Sequence, residues 1–420
     1  MPDTVTTPKA DPSEPASPQA VAARFALKRR FPTTQDIRAH AKKRLPHFAF
    51  EYMDGGAGAD GGIKRNWSAF DAIELAPRYG KMVAPPPADT RLFGRAYAAP
   101  IGVAPIGSPG TGYPGAERCF AAAAQAARVP YIMGVLGGIS IEDAAHIAPD
   151  VMWLQIYRFH RDGHRIGFDI VGRAEAAGVH VLVLTIDTPI RTTRSREVKV
   201  GITNPFRLTL KIRLDALSSP HWLGALVRNG VPKFVSIAPY MGGKSGIDDA
   251  AQFMQRESGG AFTWDEIARY RDKWKKPLVL KGVLHPEDAA RARALGLDGV
   301  IVSNHGGRQI EALPASIDVL PAIASEVGGK LSIMLDSGVR GGVDAARAIA
   351  LGADAVFAGK AFLWSLGALG ADGPGHLIAL WTEEVSATLG QLGCASVSEL
   401  RSVHVRHPGA WKAADFAPRN

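Results

Sequence analysis

Eight short apolar runs constrain the fold more than any other feature of this chain, and each is followed by polar or glycine residues and then by a helical pattern. The runs cover residues 101–104, 131–133, 151–156, 181–185, 278–281, 299–302, 331–335 and 355–358. Fully apolar strands that alternate with helices indicate a parallel sheet whose outer face is covered. Eight such units over about 300 residues are typical of a closed barrel rather than an open sheet. The chain is therefore predicted to be an α/β protein built on a single (β/α)8 TIM barrel.

The rest of the chain is predicted to have three parts around this barrel. Residues 1–30 begin with a stretch rich in Pro, Ala, Thr and Ser, lack the apolar core of a signal peptide and are expected to form a disordered tail. An N-terminal helical segment follows, with Thr33 or Thr34 as its N-cap. Residues 31–410 form the barrel domain, and residues 195–262 form a long insertion after the fourth strand.

Composition limits the classes of function. The formal net charge is +9, but Lys and Arg are spread along the chain and no recognised binding motif accompanies them, so nucleic-acid binding is not expected. The two cysteines, Cys119 and Cys394, show no CxxC spacing, so neither a metal site nor a disulfide framework is predicted. No run of about 20 apolar residues predicts a spanning helix. This cysteine usage fits a protein of the reducing cytoplasm.

The long insertion mixes apolar and basic side chains. Its apolar members include Phe206, Leu208, Leu210, Trp222, Leu223, Phe234 and Tyr240, and its basic members include Arg207, Lys211, Arg213, Arg228, Lys233 and Lys244. A surface of this kind suits peripheral contact with an anionic membrane face, here the inner face of the cell membrane. A lid over the barrel or a contact between subunits is the alternative.

Polar side chains collect at the C-terminal ends of the predicted strands, where barrels of this type carry their active sites. They are Gln155, Tyr157, Thr185, Asp187, Arg194, Lys281, Ser303, His305, Arg308, Asp336, Arg340 and Lys360. Each alone is explained as a loop cap, but so many ionisable groups at one barrel mouth are costly to desolvate. The mouth is therefore the predicted active site.

The loops after the last two strands are rich in glycine and carry two cations. These residues are Gly338, Gly341, Gly342 and Gly359 with Arg340 and Lys360. Backbone N–H groups together with cations bind phosphate, and barrels often place a phosphate site at these loops. A phosphate site is therefore predicted here.

Several kinds of side chain at the mouth suggest chemistry. Lys281 ends a buried strand, where a lysine needs an anion; both a Schiff-base role and a role beside an electron-rich cofactor ring are open. His305 with Asp187 suits a base and its charge partner. Arg194 and Arg308 suit a substrate carboxylate, because guanidinium matches its geometry. The hydroxyls expected at the substrate are those of Tyr52 and Tyr157.

These residues resemble the FMN-dependent 2-hydroxy-acid oxidase and dehydrogenase family, which includes glycolate oxidase, L-lactate dehydrogenases and mandelate dehydrogenase. The resemblance runs from about residue 34 to residue 403. Its most specific motif is Ser303-Asn304-His305-Gly306-Gly307-Arg308-Gln309. Supporting motifs are Leu184-Thr185-Ile186-Asp187-Thr188-Pro189, Leu280-Lys281-Gly282-Val283, Leu335-Asp336-Ser337-Gly338-Val339-Arg340, Gln155-Ile156-Tyr157 and Glu51-Tyr52-Met53-Asp54-Gly55-Gly56-Ala57.

The resemblance implies a role for each site residue. His305 is the proton acceptor and Asp187 its partner; Arg308, Arg194 and Tyr52 hold the substrate carboxylate, and Tyr157 contacts its hydroxyl. Lys281 lies by the N1/O2 edge of the flavin and stabilises the reduced ring. The remaining FMN contacts are assigned to Pro105, Ile106, Gly107, Gly134, Gln155, Thr185 and Ser303 at the ring, Asp336 at the ribityl chain, and Gly338, Arg340, Gly359 and Lys360 at the phosphate.

Three positions depart from the family pattern. Gly134 stands where a serine usually touches the flavin, Leu136 stands where glycolate oxidase-like members have tryptophan, and Lys360 stands where arginine is usual. The first two changes bear on substrate identity. Lysine still meets a phosphate as a point charge, but it lacks the bidentate fork of arginine.

The implied function is FMN-dependent oxidation of a small, lactate-like L-2-hydroxy acid to the 2-oxo acid. The long insertion resembles that of bacterial respiratory L-lactate dehydrogenases, which favours a quinone or cytochrome over oxygen as electron acceptor, and the family suggests a homotetramer. The alternatives are an oxygen-using oxidase, a Schiff-base aldolase that uses Lys281, a binding module without turnover, and an FMN barrel that acts on a phosphorylated substrate.

Overall fold

The computed structural model describes residues 18–80, 85–190, 192–202 and 209–417. Eight parallel strands close into a barrel in the order β7-β8-β1-β2-β3-β4-β5-β6, and β6 pairs with β7. They are β1 (Ile101–Val103), β2 (Tyr131–Gly134), β3 (Met152–Ile156), β4 (Val181–Thr185), β5 (Leu278–Val283), β6 (Gly299–Val302), β7 (Ser332–Leu335) and β8 (Ala355–Ala358). The predicted (β/α)8 barrel is confirmed, and every strand end lies within two residues of its predicted position.

The strands form because their side chains are buried on both faces. The four residues of β6 and the five residues of β3 and of β4 are all buried. Burial of each large apolar side chain contributes about 1.5–3 kcal/mol. A short antiparallel hairpin, Thr90–Leu92 with Arg95–Tyr97, lies at the N-terminal end of the barrel, where the Tyr97 hydroxyl accepts a hydrogen bond from Trp153 Nε1 at 3.1 Å. The C-terminal end of the barrel is therefore free of this hairpin, and the candidate active site lies there.

Helices cover the outside of the barrel and cross its mouth. Those before β4 are α1 (Pro18–Arg30), α2 (Thr34–Arg44), α3 (His47–Asp54), α4 (Gly61–Asp71), α5 (Pro109–Gly112), α6 (Ala116–Ala127), α7 (Ile141–Ile147) and α8 (Arg165–Ala176). Between β4 and β5 follow α9 (Ser195–Lys199), α10 (Leu210–Leu217), α11 (Pro220–Asn229), α12 (Ile247–Glu257) and α13 (Trp264–Lys273). The last are α14 (Pro286–Ala294), α15 (Ser316–Val327), α16 (Gly342–Ala350), α17 (Lys360–Leu369) and α18 (Asp372–Leu392).

Short irregular elements complete the description. The 3-10 turns are Arg161–His164, Val235–Met241, His305–Gly307, Val397–Ser402 and Ala413–Phe416, and a second antiparallel pair joins Glu74–Ala76 to His404–Arg406. Within the described ranges, no helix combines the length and the apolarity needed to cross a bilayer.

The N-terminal segment differs in part from its prediction. The sequence predicted a disordered tail over residues 1–30, but residues 18–30 form helix α1, so that part of the prediction is wrong; residues 1–17 lie outside the described residues. Arg24 and Lys28 of α1 form ion pairs with Glu383 on α18. These partners are far apart in the chain, so the composition of the tail could not reveal them. The predicted cap of α2 is confirmed: the Thr33 side chain accepts a hydrogen bond from the Asp36 N–H.

The insertion between β4 and β5 is helical where it is described. Helices α9 to α12 and the turn Val235–Met241 lie within it. The predicted membrane-contact residues Phe206, Arg207 and Leu208 lie outside the described residues. Trp222 of α11 is anchored by donating from Nε1 to Gly112 O at 2.9 Å, which ties the insertion to the loop after β1.

Candidate active site

His305 and Asp187 meet at the barrel mouth. Asp187 follows β4, His305 begins the turn after β6, and His305 Nδ1 lies 2.9 Å from Asp187 Oδ1. Burial alone would raise the pKa of Asp187, but the adjacent His305 and Lys281 outweigh burial and lower it. An ionised carboxylate only accepts hydrogen bonds, so His305 Nδ1 is the donor in this contact, and Nε2 is the ring nitrogen that Asp187 does not use.

Lys281 is held between carboxylates at the end of β5. Its Nζ lies 3.1 Å from Asp336 Oδ2 and 3.8 Å from Asp187 Oδ2, and it donates to Ser303 Oγ at 2.8 Å. Burial would lower the pKa of Lys281, but the carboxylates of Asp336 and Asp187 outweigh burial and raise it. A Schiff-base lysine needs a lowered pKa, so this environment opposes the aldolase alternative.

A cavity of 1330 Å³ opens at the C-terminal ends of the strands and continues beneath the insertion. The predicted site residues that line it are Tyr52, Pro105, Ile106, Gly107, Tyr157, Arg194, Lys281, His305, Arg308, Asp336, Gly338, Gly359 and Lys360. Gly134, Gln155, Thr185, Asp187, Ser303 and Arg340 are not among the lining residues; Asp187 and Ser303 contact side chains that are. Most of the predicted site is therefore brought together.

The two predicted carboxylate-binding arginines share a carboxylate that the sequence did not single out. Glu197 of α9 accepts a hydrogen bond from Arg308 Nη2 at 2.5 Å, and Arg194 Nη1 lies 3.4 Å from the same oxygen. Glu197 is 4% exposed and lines the cavity. Burial, followed by the charge of Arg194, lowers the pKa of Arg308, although a guanidinium stays protonated. Only the R-x-x-E order after Asp187 hints at this residue in the sequence.

The two predicted tyrosines both face the cavity. The Tyr52 hydroxyl donates to Gly107 O at 2.5 Å, and burial raises the pKa of Tyr52 to about 12. Burial, followed by the charge of Asp187, raises the pKa of Tyr157. Both phenols therefore stay protonated and act as hydrogen-bonding groups.

Lys360 is a half-buried cation at the predicted phosphate end. Its Nζ donates to Gly55 O at 2.6 Å, and within the described part of the chain no carboxylate lies within 4 Å of it. Burial and the charge of Arg308 lower the pKa of Lys360 well below its ordinary value. A bound anion would relieve both effects.

Arg340 differs from this pattern, because its Nη1 and Nη2 groups already have a carboxylate partner, although its buried Nε has no hydrogen bond within the described residues. Nη2 lies 2.6 Å from Asp71 Oδ1, and Nε lies 3.5 Å from Asp344 Oδ2. The structure therefore brings Lys360 to the cavity and directs the Arg340 side chain to acidic partners outside it.

The buried polar atoms of the site fit a bound FMN. Gln155 Nε2 and Thr185 Oγ1 are buried and have no hydrogen-bond partner within the described residues. An unsatisfied buried polar group costs about 1–3 kcal/mol, so such atoms call for a ligand. The polar edge of a flavin ring offers acceptors and donors for these groups, and its phosphate offers the anion that Lys360 lacks.

Two asparagines fix the His305 turn: Asn304, which the sequence motif contains without an assigned role, and Asn66, which the sequence did not single out. Asn66 of α4 and Asn304 exchange hydrogen bonds of 2.9 and 2.7 Å between their amides. Asn304 Oδ1 also accepts from Gly307 N at 3.1 Å. His305 is held with φ of +58°, a left-handed conformation that costs a non-glycine residue free energy. This buried amide pair therefore supports a strained turn.

The described residues hold no cluster of three or more His, Cys, Asp or Glu that could bind a metal ion. The ionisable groups at the mouth are one imidazole, several cations and their carboxylates.

The chain is similar to known proteins over most of its length. Residues 41–407 match the FMN-dependent dehydrogenase family. An L-lactate dehydrogenase of Pseudomonas paraeruginosa is 37% identical over 366 residues, covering 87% of this chain and 95% of the relative. An L-lactate dehydrogenase of Stenotrophomonas maltophilia is 35% identical over 366 residues, covering 87% and 96%.

Solved structures agree with the sequence relatives. The crystal structure of the monotopic membrane protein (S)-mandelate dehydrogenase superposes with a TM-score of 0.83 at 31% identity, covering 89% of this chain and 98% of that one. A mandelate oxidase with (S)-4-hydroxymandelic acid gives a TM-score of 0.77 at 32% identity, covering 90% and 99%. The chain therefore belongs to the family of FMN-dependent dehydrogenases and oxidases that act on 2-hydroxy acids.

Proposed function

We propose that this chain oxidises a small L-2-hydroxy acid, with lactate as the best-fitting substrate, to the 2-oxo acid and passes the electrons to a quinone or a cytochrome. The observation that carries the proposal is the 2.9 Å contact between His305 Nδ1 and Asp187 Oδ1 at a cavity lined by Arg194 and Arg308. Lactate is favoured because the curated relatives at 35–37% identity are L-lactate dehydrogenases.

His305 acts as the proton acceptor in this proposal. Its Nδ1 is used by Asp187, so Nε2 is the atom that receives the substrate proton. The Asp187 carboxylate then stabilises the imidazolium. FMN, when bound, supplies the two-electron acceptor.

The substrate is oriented by its carboxylate and its hydroxyl. Arg308 and Arg194 bind the carboxylate, and Tyr157 contacts the hydroxyl. Tyr52 also belongs to the carboxylate site, but its hydroxyl now donates to Gly107 O and has to exchange that acceptor for the substrate.

We assign the FMN contacts to the predicted set. The ring is held by Pro105, Ile106, Gly107, Gly134, Gln155, Thr185, Ser303 and Lys281, the ribityl chain by Asp336, and the phosphate by Gly338, Gly359, Lys360 and, through its charge, Arg340. The unsatisfied Gln155 and Thr185 atoms and the unpaired Lys360 ammonium support this assignment.

A quinone acceptor is supported by the shape of the cavity and by the insertion above it. The cavity reaches apolar side chains of the insertion such as Trp222, Leu226 and Phe234. Outside, Leu210 and Val227 are 72% and 81% exposed. Exposed apolar residues beside basic ones suit the surface of an anionic membrane, and the mandelate dehydrogenase relative is described as monotopic.

We therefore propose a cytoplasmic protein that rests peripherally on the inner face of the membrane, with a barrel domain over residues 31–410, an insertion over 195–262 and a homotetrameric assembly. Co-sedimentation with anionic vesicles tests the membrane contact, and light scattering tests the assembly. A monomer of about 45 kDa would contradict the tetramer.

The central experiment is an anaerobic flavin-reduction screen. Short, long and aromatic 2-hydroxy acids, both enantiomers of each, are mixed with the holoenzyme, and loss of flavin absorbance is recorded. The fastest bleaching is expected with L-lactate. Bleaching by no 2-hydroxy acid would sink the proposal.

Reoxidation of the reduced flavin, followed by the same absorbance measurement, identifies the electron acceptor. The reduced enzyme is mixed with a soluble quinone, with cytochrome c or with oxygen. The quinone or the cytochrome is expected to restore the colour faster than air-saturated buffer does. Fastest reoxidation by oxygen would favour the oxidase alternative.

A further inference from the structure

Glu197 is a buried carboxylate whose position suits a role in ligand binding. It lies three residues after Arg194, on helix α9, and lines the cavity. Its Oε1 is 2.5 Å from Arg308 Nη2 and 3.4 Å from Arg194 Nη1. It therefore lies between the two guanidinium groups that the proposed function assigns to the substrate carboxylate.

Glu197 first limits how Arg308 can bind a ligand. Arg308 donates to Tyr52 O at 3.0 Å, to Gly55 O at 2.8 Å and to Glu197 Oε1 at 2.5 Å. A guanidinium has about five N–H donors, so five minus these three leaves about two. The remaining donors are Nε–H and one Nη2–H, because Nη1 donates to both carbonyl groups, and two N–H donors are the number that one bidentate carboxylate takes.

Glu197 also sets the charge at this end of the cavity. Arg194 and Arg308 carry two positive charges, and Glu197 offsets one of them. Lys281 on the other side is already balanced by Asp336 and Asp187. Lys360, another cation of the cavity, is assigned to the FMN phosphate by the proposed function. Among Arg194, Arg308 and Glu197 the surplus is therefore one positive charge, which matches one carboxylate, and a buried carboxylate without a partner is costly.

We infer that Glu197 makes the site selective for acids with one carboxylate by rejecting a second one. This inference rests on the proposed function, because it takes Arg194 and Arg308 as the carboxylate site. The ligand class it admits is the 2-hydroxy monocarboxylic acids, and the class it rejects is their dicarboxylic counterparts. Glu197 acts through Arg194 and Arg308 and is a positioning and specificity residue.

The test compares two unreactive three-carbon acids that differ in one carboxylate. Propionate and malonate are titrated into the oxidised holoenzyme, and binding is followed by the change in flavin absorbance. The parent is expected to bind propionate at least about tenfold more tightly than malonate, because the second carboxylate has no buried partner. Equal affinities in the parent would overturn the inference.

Glu197→Gln keeps the shape and an acceptor oxygen but removes the charge. The ratio of malonate to propionate affinity is expected to rise about tenfold, since the surplus charge becomes two. Glu197→Asp keeps the charge and is expected to keep the parental ratio. Glu175→Gln, an exposed change of the same net charge on α8, is the matched control.

A structural role for Glu197 would give a different result. If it only braced α9, Glu197→Gln would weaken both acids in parallel and leave the ratio unchanged, which would refute the inference. Turnover is not needed for these titrations. Failure of the flavin-reduction screen would therefore contradict the proposed function without deciding the role of Glu197. An unchanged ratio of affinities in an active enzyme would contradict the role of Glu197 and leave the proposed function standing.

Discussion

His305 Nδ1 and Asp187 Oδ1 lie 2.9 Å apart although 118 positions separate the two residues in the chain. The contact exists because one residue follows β4 and the other follows β6, and the barrel brings both strand ends to one mouth. It fixes which imidazole nitrogen carries the proton before any substrate arrives.

Replacement of His305 by Gln tests the assigned base. His305→Gln is expected to retain the yellow flavin but to slow anaerobic flavin reduction by about 10²–10⁴-fold, because the proton acceptor is lost. Stopped-flow absorbance measures the rate. Reduction at the rate of the parent would refute the role of His305, and loss of the flavin would show that the turn, rather than the base, had been damaged.

Removal of the Lys360 charge tests the phosphate site. Lys360→Met is expected to weaken FMN binding by at least about tenfold, because a charge-assisted hydrogen bond to the phosphate contributes about 1.5–3 kcal/mol. Fluorescence of released FMN on dilution reports the affinity. Lys360→Arg is the control and should retain FMN; retention by the Met variant as well would contradict the assignment.

A methyl group at Gly282 should disturb the site through the backbone. Gly282 has φ of +105°, and a Cβ there would lie 2.5 Å from Asp187 Cβ. Gly282→Ala is expected to lower the free energy of unfolding by about 1–3 kcal/mol and to slow flavin reduction. Gly172→Ala in α8 is the control, since its Cβ would meet nothing within 4 Å, and it should be neutral or slightly stabilising. Equal stabilities of the two variants would contradict this reasoning.

Glu266 should make the fold sensitive to acid. Burial would raise the pKa of Glu266, but hydrogen bonds from Arg158, Thr263 N and His164 outweigh burial and lower it to about 2. A lowered folded-state pKa contributes stability above the ordinary value of 4.5, and that stability is lost as the pH falls from 4.5 towards 2. Glu266→Gln is expected to cost about 2 kcal/mol at pH 7 and less near pH 3. Urea unfolding at several pH values measures this difference.

The control for the acid experiment is Glu326→Gln, which changes an exposed carboxylate on α15. Its stability should follow that of the parent at every pH. A Glu266→Gln variant whose deficit does not shrink in acid would show that the network contributes by packing alone.

The apolar stripe of α10 should carry the membrane contact. Leu210, Leu214 and Leu217 recur at helical spacing and are 72%, 58% and 63% exposed. The pair Leu214→Glu and Leu217→Glu is expected to reduce co-sedimentation with anionic vesicles by at least about tenfold, because both apolar burial and charge attraction are weakened. Flavin reduction should be unchanged. Undiminished sedimentation would exclude this face.

The barrel could be predicted from the sequence because buried parallel strands are continuous apolar runs, and such runs need no partner to be recognised. Helix α1 could not, since its ion pairs with Glu383 join residues more than 350 positions apart. The insertion helices were not predicted either; in α10 the exposed Leu210, Leu214 and Leu217 blur the amphipathic pattern of a surface helix.

The site was predictable where a motif lies in one short segment, as at His305 and Arg308. It was not predictable where a side chain finds its partner across the fold. Glu197 pairs with Arg308, which is 111 positions away in the chain, and Arg340 pairs with Asp71, which is 269 positions away. Sequence motifs show which ionisable side chains are present. The folded structure decides which of these side chains form ion pairs with one another.

The surroundings of Gly134, at the end of β2, leave no room for a larger residue. A Cβ there would lie 2.9 Å from Ile106 O and 3.4 Å from Gln155 Oε1. The main chain of the loop after β1 occupies the space that a side chain at this position would need. An engineer who wished to place serine at this position would therefore have to redesign a neighbouring stretch of main chain as well, so the exchange is not a one-residue step.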